Sequence, residues 1–182
     1  MNNKKYWEKF YRKFDEKNPS NFAKFCSKYI TKNDWVLDIG CGNGRDSYFL
    51  GKHAELVLGV DYATEPKDNK RVLFTKIDIK DFSNYDFSCF DIVYTRFFLN
   101  SISNKKVEEL VKWTRGLFLI ECRAKGDKPK LFPKHKRNLI DGEWLLKLLI
   151  DNGFEILYYK KGHGMSVYKN EDPLLIRVVA KK

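Results

Sequence analysis

One segment restricts the folds open to this chain more than any other: Val36-Leu37-Asp38-Ile39-Gly40-Cys41-Gly42-Asn43-Gly44-Arg45-Asp46. The apolar run from Trp35 to Ile39 reads as a buried strand, glycines follow at every second position, and a helix-compatible stretch runs from Arg45 to Leu50. Glycines so spaced let the backbone turn sharply and let a ligand lie against it where a helix starts. A second apolar run, Leu56 to Val60, closes on Asp61, a carboxylate placed to hold the two hydroxyls of a ribose. The spacing therefore predicts strand, turn, helix and strand around a ligand that carries a nucleoside.

Three glycine-rich patterns compete for this turn. A phosphate-binding loop needs a second glycine five residues after the first, and position 45 is Arg. A dinucleotide fingerprint is met by Gly40 and Gly42 and fails at the same position. The pattern present is D-x-G-x-G-x-G, from Asp38 to Gly44. A leading carboxylate repels a phosphate and suits an ammonium or sulfonium group.

Along the rest of the chain, Trp7, Phe10, Tyr11 and Phe14 recur at helical spacing, and residues 3–17 and 20–31 read as two amphipathic helices with Ser20 capping the second. Strands are expected at 35–39, 56–60, 72–77, 91–95, 117–122, 155–160 and 174–181, and helices at 44–52, 103–113 and 141–151. Ser103 suits an N-cap and Gly153 the position that ends the last helix. This alternation predicts an α/β fold: a Rossmann-like, doubly wound, mostly parallel seven-stranded sheet. No helical pattern fills residues 162–173, so the last two strands are expected to form an antiparallel hairpin at one edge, and the short connection 62–71 predicts a reduced helical layer. One domain spanning 1–182 is expected, with N-terminal helices over 3–31, which serve either as a lid or as core, and a sheet core over 35–182.

Composition removes several function classes. No apolar stretch reaches the roughly 20 residues that span a bilayer, and the first residues lack a signal-peptide core, so a cytoplasmic location is expected. Cys26, Cys41, Cys89 and Cys122 form no C-x-x-C pair and the three histidines are scattered, so no metal site is expected and the thiols read as small buried side chains. The net charge of +11 invites a nucleic-acid partner. However, 27 of the 35 basic residues are lysines spread along the chain, densest from Arg123 to Arg137, and a solvated basic surface is the simpler reading.

The turn from Asp38 to Gly44, with Asp61 some twenty residues on, resembles motif I of the class I S-adenosylmethionine (SAM)-dependent methyltransferases. Asp78 matches the family's acid after strand three, and Phe90-Asp91-Ile92-Val93-Tyr94-Thr95-Arg96-Phe97-Phe98 looks like its strand-four motif. The resemblance implies S-adenosyl-L-methionine as cofactor. It would be held by Asp38, Gly40, Cys41, Gly42, Asn43, Gly44, Asp46, Asp61, Tyr62, Asp78 and Ile79. The start Tyr6-Trp7-Glu8-Lys9-Phe10-Tyr11, the segments Arg96 to Ile102 and Phe118 to Arg123, and the tail Tyr168 to Pro173 resemble small methyltransferases associated with sugar and surface-glycan biosynthesis. That narrower likeness implies methyl transfer to a hydroxyl of a sugar, glycan or other small molecule.

Catalytic groups are expected at the carboxyl ends of strands four and five and in the loops beyond, where Arg96, Asn100, Glu121, Arg123, His135 and Arg137 lie. His135 titrates near neutrality and is the candidate base, or else a surface histidine in a basic loop. Arg96 and Arg123 either bind an anionic group on the acceptor or pair with Glu121 or another acid. Two rival functions stay open: an RNA methyltransferase, including cap modification, and a non-catalytic SAM-binding module.

Overall fold

The computed structural model describes residues 4–13, 16–78, 85–126 and 137–182. Its elements run α1 (Lys4–Lys13), α2 (Asn21–Cys26), β1 (Trp35–Ile39), α3 (Arg45–Leu50), β2 (Leu56–Asp61), β3 (Val72–Lys76), β4 (Ile92–Arg96), α4 (Asn104–Trp113), β5 (Leu117–Arg123), α5 (Gly142–Asp151), β6 (Glu155–Gly162) and β7 (Leu175–Lys181). The seven strands form one sheet in the order β3-β2-β1-β4-β5-β7-β6. β1 pairs with β2 and β2 with β3 in parallel, whereas β7 runs antiparallel to both β5 and β6. The expected Rossmann-like sheet with an edge hairpin is therefore present. By compactness the chain divides into two units, residues 1–92 and 93–182.

In the first unit, Val36, Leu37 and Ile39 of β1 and Val57 and Val60 of β2 are buried, the continuous apolar burial of a covered parallel sheet. Ser20 caps α2 by accepting from the Ala23 N–H at 3.0 Å. The helix expected over 20–31 stops earlier, at Cys26, and continues as a 3₁₀ turn over Ser27–Tyr29. The Asp34 carboxylate accepts from the Thr31 N–H at 2.6 Å, a local turn that competes with further helix. α1 also ends before the expected residue 17, because residues 16 and 17 are non-helical. No helix occupies 62–71, and side chains do its work: Asn69 Oδ1 accepts from the Arg71 and Val72 amides, and Asp68 Oδ1 from Phe74, a β3 amide on the sheet edge.

In the second unit the inner positions of β5 and β7 are buried without a break from Phe118 to Arg123 and from Leu175 to Ala180. Ser103 caps α4 through the Lys106 N–H, and Asp141 caps α5 through Glu143 and Trp144. Gly153, at φ +83°, follows the end of α5 as expected. β6 is the edge strand, bulged between Ile156 and Tyr158. The thiols depart from expectation at one place: Cys26 and Cys122 are buried and Cys41 is half-buried, but Cys89 is exposed.

Candidate active site

The glycine turn is built as its spacing requires. Gly40, Gly42 and Gly44 all adopt positive φ, at +77°, +57° and +75°, which residues with a Cβ avoid. The amides of Gly40 and Cys41 donate to the Val60 carbonyl at 2.8 and 3.2 Å, tying the turn to the end of β2. There Asp61 Oδ2 accepts from the Gly42 N–H at 3.1 Å, and its Oδ1 from Ala63 and Thr64 at 2.7 and 3.3 Å. The Thr64 hydroxyl closes the loop by donating to the Gly42 carbonyl. Burial pushes the Asp61 carboxyl above its ordinary range, and the three backbone amides only partly offset it.

Asp38, 2 % exposed on β1, accepts from Ser47 Oγ at 2.6 Å, so the first turn of α3 orients the leading carboxylate. Burial, then Asp38 and Asp61, hold the Cys41 thiol well above its usual range. Asp46 grips α2 instead, accepting from the Ser20 N–H and hydroxyl at 2.7 Å each. Tyr62 follows Asp61 directly, and burial followed by the charges of Asp61, Asp78 and Glu8 pushes its phenol up to about 12. Asp61 ends β2 and Asp78 lies two residues past the end of β3. Ile79 lies outside the described residues.

Two contributors escaped the sequence reading. Tyr11 of α1 lays its phenol on Gly42, so a Cβ there would collide with the ring, and Asn43 Nδ2 donates to the Glu16 carbonyl at 2.9 Å. A cavity of about 420 Å³ opens beside the turn, lined by Glu8, Tyr11, Asn43, Thr64, Pro66 and Lys76. The aromatic stripe marked Tyr11 as a helix residue. Nothing local marked it as a neighbour of Gly42.

In the second unit the candidate catalytic residues are joined by ion pairs. Glu121, fully buried on β5, accepts from Arg96 Nε at 3.0 Å and from Arg177 Nε at 2.6 Å. Arg123 meets Glu171 through two bonds of 3.1 and 2.7 Å. Asn100 secures the same strand end: its Oδ1 accepts from the Arg123 N–H, and its Nδ2 donates to the Arg123 carbonyl. Phe97, just past β4, takes φ +58° and donates its N–H to the Glu121 carbonyl at 2.7 Å. A non-glycine residue in that conformation is strained, and its bond to β5 holds it there. Arg96 and Arg123 thus each pair with an acid. Arg177 and Glu171 were missed, although an arginine inside the apolar run Leu174 to Ala180 signals a buried partner. His135 lies outside the described residues. Among the described residues no group of acidic, cysteine and histidine side chains could hold a metal.

Comparison with known proteins agrees with this architecture. Residues 37–116 match the model of a methyltransferase domain family. The structure is similar to a SAM-dependent methyltransferase from Anabaena variabilis, with a TM-score of 0.72 at 17% identity over 100% of this chain and 95% of that one. It is similar to one from Methanosarcina mazei, at 0.68 and 19% over 87% and 96%. It also resembles a Burkholderia thailandensis 1,6-didemethyltoxoflavin-N1-methyltransferase, solved with 1,6-didemethyltoxoflavin and S-adenosylhomocysteine, at 0.69 and 17% over 88% and 76%. No curated protein matches the chain by sequence. These likenesses show the fold, and the matched segment runs from within β1 to just past α4, so it includes the glycine turn and Asp61.

Proposed function

We propose that the chain transfers the methyl group of S-adenosylmethionine to a hydroxyl of a sugar, glycan or other small molecule. The observation that carries the cofactor half is the junction of the glycine turn with Asp61, whose carboxylate already lies on the Gly42 amide. The donor set fits the ligand. Asp61 and Asp78 suit a ribose and the adenosine edge, and buried Asp38 suits a cationic amino-acid end. When bound, the cofactor supplies an electrophilic methyl on a sulfonium, displaced in line by the acceptor oxygen. The chain's part is to orient that oxygen, exclude water and take its proton.

Within this reading α1 forms a wall of the cofactor site through Tyr11, and His135 is the proposed proton acceptor. Arg96, Glu121 and Arg123 act as positioning residues, holding the carboxyl ends of β4 and β5 through their ion pairs. The hydroxyl acceptor rests on the flanking segments that resemble sugar-associated methyltransferases.

Isothermal titration with S-adenosylhomocysteine tests the cofactor half. Wild type is expected to bind and Asp61→Ala to lose at least about tenfold, since a hydrogen bond to a charged group contributes about 1.5–3 kcal/mol. Folded wild-type protein that does not bind, or equal binding by the variant, overturns it. Tritiated methyl transfer to a panel of sugars, nucleotide sugars and RNA tests the acceptor half.

A further inference from the structure

We propose that Glu8 of α1 reads the adenine of the bound cofactor, accepting one N–H of its exocyclic amino group. The inference deepens the cofactor half of the proposed function and rests on it. Glu8 is the only acidic residue of α1, and helical spacing puts Lys4, Lys5 and Arg12 about one turn away from it. A carboxylate so placed ordinarily pairs with one of them. Among the described residues Glu8 forms neither an ion pair nor a hydrogen bond, and it lines the cavity of about 420 Å³ instead.

Two contacts set the helix in that orientation. Tyr11 lies on Gly42, and the Glu16 carbonyl, beyond the end of α1, accepts from Asn43 Nδ2 at 2.9 Å. Glu8 stands one turn before Tyr11 and Arg12, so the three share a face, and all three line the cavity. No residue of α1 is buried, so this face completes no core. The rest of the lining comes from Asn43, the connection after β2 and Lys76 at the end of β3. That part is fixed around Asp61. The Ala63 N–H donates to Asp61 Oδ1 at 2.7 Å, the Ile77 N–H donates to the Asp61 carbonyl at 3.1 Å, and Lys76 is the register partner of Asp61. Glu8 therefore shares a cavity with the segment that the ribose carboxylate anchors.

Chemistry selects the group that Glu8 meets. An ionised carboxylate only accepts, so its partner must donate. An S-adenosyl ligand offers three kinds of donor: the ammonium, the ribose hydroxyls and the exocyclic amine of adenine. The proposed function gives the first to Asp38 and the second to Asp61. The amine remains, and it carries two N–H bonds, one for Asp78 and one for Glu8. The charge pattern agrees. Burial first, and then the charges of Asp61, Asp78 and Glu8, raise the Tyr62 phenol, so Glu8 lies within electrostatic reach of the same side chain as the two strand-end carboxylates. Like charges gathered there repel, and a donor that bridges them is bound the more tightly for it. The cavity's other acid, Glu65, is exposed, as are Arg12 and Lys76. Glu8 is half-buried, and partial removal from water strengthens a carboxylate's bond to a neutral donor.

The test titrates the full chain calorimetrically with S-adenosylhomocysteine and with S-inosylhomocysteine, whose ring bears an oxygen in place of the amine. Wild type is expected to prefer the adenosyl ligand by at least about tenfold. Glu8→Ala should weaken that ligand about tenfold and leave S-inosylhomocysteine affinity unchanged, narrowing the preference by the same factor. Glu8→Gln keeps an acceptor oxygen without the charge and should fall between the two. Lys5→Ala, at an exposed position of the same helix outside the cavity lining, should match wild type in both titrations. Urea denaturation of Glu8→Ala should also match wild type, because the side chain has no ion pair or hydrogen bond to lose. No preference in wild type, equal S-adenosylhomocysteine affinity in Glu8→Ala, an equal loss toward both ligands, or a loss of stability alongside the loss of binding overturns the inference. Wild type that binds S-adenosylhomocysteine upholds the cofactor reading whatever Glu8 does, and wild type that binds neither ligand overturns both.

Discussion

Under the proposed function, Asp61 meets a conflict between folding and ligand binding. Its folded-state pKa lies above the unfolded value, so the group's contribution to stability is fully present at low pH and is lost as pH rises through the folded pKa. At neutral pH the buried carboxylate is therefore a cost to the ligand-free protein, one that a diol donating two hydrogen bonds to the ionised form offsets. Binding should pull the pKa down and release a proton. S-adenosylhomocysteine affinity is thus expected to fall as pH is lowered into the range where Asp61 protonates, and the advantage of wild type over Asp61→Asn to shrink over the same range. Calorimetry at a series of pH values checks this, and a pH-independent ratio would remove Asp61 from the ribose site. Asp61 was legible because a carboxylate ending an apolar run about twenty residues past a glycine turn is a local pattern. The partners of Asp46 were not, since Ser20 lies 26 residues away on another helix.

At the scale of elements, the packing of β3 against β2 and against the glycine turn depends on missing side chains. A Cβ on Gly59 would stand 2.6 Å from Phe74 Cδ1 and 3.1 Å from Cys41 Sγ, and one on Gly44 would stand 2.6 Å from Phe74 Cζ. Phe74 of β3 thus fills the space that two glycines leave. Gly59→Ala is expected to destabilise by about 1–3 kcal/mol in chemical denaturation, the usual cost of overpacking, and Phe74→Leu in the same background should restore part of the loss. No change in the single variant would show that Phe74 does not pack there. The elements themselves were legible: every expected strand is present within two residues, because apolar runs bounded by turn residues report strands directly. The shortfalls came where side chains compete for backbone bonds, as Asp34 does after α2.

Over the whole molecule, seven strands in one sheet make the single-domain reading a testable proposal: one cooperative transition is expected in scanning calorimetry, with calorimetric and van't Hoff enthalpies equal. Two separable transitions, matching units 1–92 and 93–182, would replace it with two domains. No helix among the described residues is long and apolar enough to cross a membrane. The sequence by itself determined the alternation of strand and helix, the glycine turn with Asp38 and Asp61, and the closing hairpin. All of these are written in spacings of a few residues, in glycine's access to positive φ and in strand periodicity. Only the tertiary structure decided which charges neutralise one another. Glu121 takes Arg96 from 25 residues before it and Arg177 from 56 after it, and Arg123 takes Glu171 from 48 after. Those choices follow from strand order and register, which place Arg177 directly opposite Glu121. No local periodicity specifies register between distant strands, so these ion pairs came into view only once the strands were paired.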